Sequence, residues 1–213
     1  MTFSIVARDA ATGYVGVATA TGGPAVGSLV PHARPGLGAI ATQGLTNPFL
    51  GFDGLEALAE GLSAGEALER VKAADADIAK RQVIIVDRNG GTQGWCGCAL
   101  GAESGMVLAE GVAVAGNLLA DTEVLDAMLA AYQRREGEAL EARLLAALGA
   151  GEARGGDRRG TRSAALKVYA DQPYPRYDVR VDSSDHPIAQ LAEVLGEVRI
   201  GDYAEFFAQV PRR

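Results

Sequence analysis

The opening 45 residues contain strand-length stretches almost empty of charge, which leaves few ways for them to fold. Phe3, Ile5 and Ala7 alternate with Ser4, Val6 and Arg8, the two-residue period of a strand. Asp9-Ala10-Ala11-Thr12-Gly13 predicts a turn into Tyr14 to Thr19, a second strand and hairpin partner of the first. After the Gly22-Gly23-Pro24 break, Val26 to Val30 reads as further β structure, and Gly38 to Gln43 follows the Pro35-Gly36 turn. Ala, Gly and Thr dominate these stretches. Small, uncharged side chains on both faces predict strands packed on both sides, with no wet face.

The rest of the chain alternates in blocks. A helical stretch from Gly54 to Gly61 carries leucines at 55 and 58, with 62 just after it in helical spacing, and Ser63-Ala64-Gly65-Glu66 spells a capping box that opens a helix to about Ala74. Gln82 to Val86 reads as a strand closed by the hairpin turn Asp87-Arg88-Asn89-Gly90-Gly91. Thr92 to Cys98, Gly105 to Glu110 and Val112 to Ala115 complete a second β region. Asp121 is placed to cap a helix through Arg135; Glu138 to Leu148 is another helix, ended at Gly149 and Gly151. Ser163 to Tyr169 and Tyr177 to Val181 are late strands, and Ile188 to Leu195 a last helix. Blocks of strands and helices in this order do not make βαβ units. They fit an α+β fold: two antiparallel sheets packed together and covered by helices, a four-layer α-β-β-α sandwich. The 213 residues suffice for one domain spanning 1–213, and no linker-like stretch divides them.

The formal net charge of −7 disfavours a nucleic-acid partner, since no general basic field is available for a phosphate backbone. No apolar run approaches the roughly 20 residues that span a bilayer, and no secretory signal opens the chain, so a cytoplasmic protein without a membrane partner is expected. Cys96 and Cys98 read as free thiols. With His32 and His186 they fit no common zinc spacing, and neither a metal nor another cofactor is expected. His32 lies in Pro31-His32-Ala33-Arg34-Pro35, read as a solvated loop.

Thr2 carries the most chemistry. Removal of Met1, which the small Thr2 side chain permits, would place a hydroxyl and a free α-amine on one residue. Such an amine titrates near pH ~8 and can act as a base towards its own hydroxyl in acyl transfer. Thr is also an ordinary strand former, and the residue type alone does not separate the two readings.

Several segments together resemble domain-of-unknown-function family 1028, a bacterial family within the N-terminal-nucleophile (Ntn) hydrolase-like superfamily. They are Thr2 to Asp9, Ala25 to Ser28, Thr42-Gln43 with Asn47-Pro48 and Gly51, Arg81-Gln82-Val83 with Val86-Asp87, and Gly116 to Leu119. Gly155-Gly156-Asp157-Arg158-Arg159-Gly160 leading into Ser163 to Leu166, and Asp185 to Ile188, complete the match. The resemblance implies the same four layers and, for the superfamily at large, amide-bond cleavage. Two positions depart from the family's pattern: Thr21-Gly22 stands where Ser-Lys is frequent, and Arg162 where glutamine is common.

In that frame Thr2 would be the nucleophile, and Asn117 after the Val112 to Ala115 strand would hold a developing oxyanion. Gly116-Asn117 serves equally well as the turn before the next helix. Gln43 and Asn47 offer amides to a polar substrate, or close a loop on themselves. The Gly-rich segment brings Asp157, Arg159 and the following Ser163 to a sheet end. There Asp157 would complete the catalytic set with Thr2 and Asn117, and Arg159 with Ser163 would bind substrate, Arg159 by gripping a carboxylate; alternatively Asp157 simply orders Arg159. The leading expectation is an Ntn-type hydrolase of a small amide. The alternatives are a non-catalytic scaffold that binds a small anionic metabolite at the Arg-rich loop, and a homo-oligomeric protein, with a homodimer expected.

Overall fold

The computed structural model describes residues 2–101 and 103–213; Met1, and with it the question of its removal, lies outside the described residues. In chain order the elements are β1 (Thr2–Arg8), β2 (Val15–Thr21), β3 (Pro31–Arg34), β4 (Gly38–Gly44), α1 (Phe49–Ala59), α2 (Ala64–Ala74), β5 (Arg81–Asp87) and β6 (Thr92–Cys96). They continue with β7 (Gly105–Ala109), β8 (Val112–Asn117), α3 (Glu123–Gln133), α4 (Leu140–Ala153), β9 (Ser163–Tyr169), β10 (Tyr177–Val181), α5 (Pro187–Arg199) and α6 (Gly201–Ala208). One sheet has the strand order β10-β9-β2-β1-β8-β7 and the other β3-β4-β5-β6. Every pairing is antiparallel.

Strand parity sorts the side chains into layers. In β1 the odd residues Phe3, Ile5 and Ala7 join Leu125, Met128, Leu144 and Leu148 of α3 and α4 and Leu191 of α5 in one apolar cluster. The even residue Val6 faces the other way and meets Val17, Ala113 and Ala165 of its own sheet and Ala39, Ala41, Ile84 and Val86 of the second sheet. On the second sheet Ile40, Val83 and Ile85 turn outward to Leu55, Leu58, Leu68 and Val71 of α1 and α2. The result is helix, sheet, sheet, helix. Alanines across the sheet-sheet seam let the layers close, which accounts for the poverty of charge in the strands.

Several elements differ from the sequence reading. Val26–Ser28 is a turn of 3-10 helix, entered through Ala25 at φ 56°. Pro31–Arg34 is an edge strand paired with β4 rather than a loop, and the proline stands at its first position, where a missing N–H is harmless. His32 is therefore buried, not solvated: a Cβ on Gly51 would strike its ring, and Phe52 meets it edge-on at 4.9 Å. Helix α1 begins at Phe49, after Pro48, instead of at Gly54. Helix α4 continues through Gly149 and Gly151 to Ala153, because Gly151 lies where α4 crosses Met128 and Phe3. Asp121 Oδ1 accepts the Glu123 N–H at 2.7 Å, capping α3 from one residue before its N-cap Thr122. Helix α6 was not foreseen. Among the described residues no helix is long and apolar enough to cross a membrane.

Candidate functional site

The two sheets differ along their length: the seam is apolar through most of its extent and polar at one end. On the six-stranded sheet the register pairs Ser163 with Thr21 and Thr2 with Asn117, while the Phe3–Ala20 pair brings Thr2 beside Thr21. Directly paired residues of antiparallel strands project to the same face. Ser163, Thr21, Thr2 and Asn117 therefore form one polar row across four adjacent strands, on the face that meets the second sheet. One step inward, Ser4 and Thr19 repeat the pattern; beyond them Val6 and Val17 return to the apolar seam. Across the gap the matching row is Gln43, Gln82 and Cys96.

Hydrogen bonds join the two rows. The Thr2 hydroxyl lies 3.2 Å from that of Thr21, and Ser4 Oγ donates to Gln43 Oε1 at 2.6 Å while its lone pair faces the Thr19 hydroxyl at 2.8 Å. Gln43 Nε2 donates to Gln82 Oε1 at 2.7 Å and lies 3.4 Å from the carbonyl of Thr2. Asn117 Nδ2 reaches the same Gln82 Oε1 at 3.0 Å, which leaves its second N–H for another acceptor. Gln82 Nε2 donates to the carbonyls of Gly105 and Gly116, both at 2.9 Å. Among the described residues no buried side-chain nitrogen or oxygen lacks a partner.

Asp157 and Arg159 arrive at this end by a separate route. Leu119 forms an isolated antiparallel bridge with Asp157, and Ala120 N donates to Gly156 O at 3.0 Å, so the Gly-rich loop pairs with the chain leaving β8. The buried Asp157 carboxylate accepts from the backbone N–H of Gly22, from Arg159 N at 2.8 Å and from the Arg159 guanidinium at 3.1 Å. Half of the Arg159 side chain stays in solvent. A Cβ at position 22 would stand 2.6 Å from Asp157 Oδ2 and 2.7 Å from Gly160 O. Glycine is thus what allows Asp157 to approach the end of β2, and a lysine there would push the loop away. Ser163 Oγ donates to Gly23 O at 2.7 Å and accepts from Val26 N at 3.1 Å, fixing the chain after β2.

The structure thus brings Thr2, Gln43, Asn117, Asp157, Arg159 and Ser163 to one end of the sandwich. Asn47 belongs to a different group: its side chain donates to Asp75 at 2.8 Å and accepts from Phe49 N at 3.1 Å. Burial pushes the Asp75 carboxyl upward, but bonds from Arg81, Asn47 and the Asp77 N–H outweigh it and leave its pKa lowered. Gly116 and Asn117 both remain in β8, and the turn falls on Leu118 at φ 50°, a left-handed conformation uncommon outside glycine. Sequence reasoning gave Ser4, Thr19, Thr21 and Gln82 no role. Their signal was a hydroxyl or amide at inward-facing positions of otherwise apolar strands, confined to one end of each.

No side chain in the row from Ser163 to Asn117 titrates near neutrality. Its hydroxyls and amides can donate and accept hydrogen bonds to a polar group.

The model of the family described as "Family of unknown function (DUF1028)" matches residues 2–191. The crystal structure of protein SPO2555 from Silicibacter pomeroyi, of the same family, is 34% identical, with a TM-score of 0.91 over 99% of this chain and 94% of that one. Anbu (ancestral beta-subunit) from Yersinia bercovieri is 13% identical, with a TM-score of 0.44 over 99% of each chain. No curated protein matches the chain.

Proposed function

We propose, from the premise that this chain belongs to the DUF1028 family of unknown function, that its polar sandwich end hydrolyses a small amide bond with Thr2 as an N-terminal nucleophile. The observation that carries the reading is the row across four strands: it sets the Thr2 hydroxyl at the start of a central strand, opposite Asn117 and among groups that cannot themselves take a proton. With Met1 removed, the neutral α-amine takes the proton of Thr2 Oγ1 as that oxygen attacks the substrate carbonyl carbon. The spare N–H of Asn117 Nδ2 stabilises the oxyanion. The C–N bond then breaks, the leaving amine collects the proton from the α-ammonium, and water releases the acid from the Thr2 ester.

The test begins with the intact mass of the purified protein, which should lack the initiator methionine. Turnover of a panel of aminoacyl p-nitroanilides should rise with pH through about 8. It should fall by ~10³-fold or more in Thr2→Ala and by roughly 100-fold in Asn117→Leu. A mature chain that keeps Met1, or a Thr2→Ala protein as active as wild type, overturns the proposal.

A second reading has its own support: Thr2 is only 6% exposed, whereas Arg159 lies half in solvent over Asp157. In this reading the same end binds a small anionic metabolite without turning it over. Citrate and inorganic phosphate should then raise the melting temperature of wild type and not of Arg159→Ala.

A further inference from the structure

One space suited to a ligand lies far from Thr2. β9 starts at Ser163, beside Thr21 in the polar row, and ends at Tyr169, opposite Val15. Six residue steps of strand separate those ends, or about 20 Å. Just past Tyr169 a cavity of about 400 Å³ opens between the β9–β10 connection and the C-terminal helices, a size that suits a small organic ligand. The wall from Val198 to Arg212 lies beyond the residues 2–191 that define the family match.

The cavity combines flat apolar surface with unspent positive charge. Tyr174, Tyr177 and Phe207 line it together with Arg176, Arg199 and Arg212. Arg212 Nη2 alone bridges both carboxylate oxygens of Asp171, at 2.6 and 2.7 Å, and Arg199 lies 3.4 Å from Glu141. Arg176 differs: among the described residues no carboxylate pairs with it. Its guanidinium carbon lies 5.4 Å from the ring centroid of Tyr177 and 5.8 Å from that of Tyr14, aromatic contacts that do not neutralise its charge.

The wall is fastened deliberately. None of the residues of α6 is buried, so packing does little to hold it. The tail behind it is strapped to the β9–β10 connection instead: Gln172 and Arg213 exchange bonds at 2.9 and 3.1 Å, and Tyr174 Oη donates to Pro211 O at 2.9 Å. Those bonds keep Phe207 over the cavity.

We infer that this cavity is a binding site for a small aromatic monoanion, its carboxylate on Arg176 and its ring among Tyr174, Tyr177 and Phe207. The probe is 2-naphthoate, titrated calorimetrically into the full-length protein, with 2-naphthylmethylamine as a cation of the same shape. Naphthoate should bind one to one, the amine should not, and Arg176→Gln should weaken naphthoate by about 10-fold or more, as loss of a charged hydrogen-bond partner does. Phe207→Ala should weaken it several-fold, while Thr2→Ala and Arg159→Ala bind as wild type, which separates this site from the polar end. Absence of naphthoate binding at millimolar concentration, equal affinity in Arg176→Gln, equal binding of the amine, or loss of binding in Thr2→Ala overturns the inference.

Discussion

Gln82 spends its whole side chain inside the protein: its carbonyl oxygen serves Gln43 and Asn117, and its amide serves the carbonyls of Gly105 and Gly116. Replacement by leucine preserves much of the volume and strands two donors and two acceptors. Since each buried orphan costs about 1–3 kcal/mol and some will find water, Gln82→Leu should lower unfolding free energy in urea by about 2–4 kcal/mol. Its activity loss should resemble that of Asn117→Leu if the network positions Asn117. His32 makes a different kind of prediction. Burial depresses its pKa, helped by the charge of Lys167 and opposed by its bond to Leu29 O. The unfolded chain therefore binds the proton more readily, so stability is intact above the unfolded value of about 6.5 and declines as pH falls below it. The melting temperature should drop on acidification from 7 towards 5, and the slope over that window should flatten in His32→Gln.

At the scale of elements, α4 shows how context reverses a propensity. Two glycines sit in its last turns, and on an isolated helix each change to alanine would gain up to about 1 kcal/mol. A Cβ on Gly149 meets nothing within 4 Å. On Gly151 it would lie 2.9 Å from Met128 Cγ and 3.3 Å from Phe3. Gly149→Ala should therefore raise stability by up to about 1 kcal/mol, and Gly151→Ala should lower it by about 1–3 kcal/mol as the core is overpacked. Thermal unfolding of the two variants side by side decides it. The same residue type read as a helix stop is, at 151, a contact point between α4, α3 and β1.

Across the whole molecule, the sandwich has two unlike ends. One gathers hydroxyls and amides between the sheets; the other opens a cavity walled by α5 and α6. Because no residue of α6 is buried, deletion of residues 201–213 should move the melting temperature by no more than about 4 °C, near 1 kcal/mol for a chain of this size. The same deletion should abolish naphthoate binding. A large loss of stability would mean that the tail holds the core itself.

Much of this architecture was legible in residues alone. Alternation in Thr2 to Arg8, charge-free strands and the capping box at Ser63 are local signals, and they predict layers buried on both sides with α2 where it is found. Thr2 stood out for the same reason: the chemistry proposed for it rests on its residue type and position. What tertiary structure alone decided was company. The meeting of Thr2 with Asn117, of Gln43 with Gln82, and of Gly22 with Asp157 depends on strand order and register between segments as many as 135 positions apart. Hairpin signals do not carry that information, because register is set by the fit of whole faces against one another and a one-residue slip would turn every inward hydroxyl out. His32 was misplaced on the same account, since a short edge strand acquires its identity from the neighbour it pairs with.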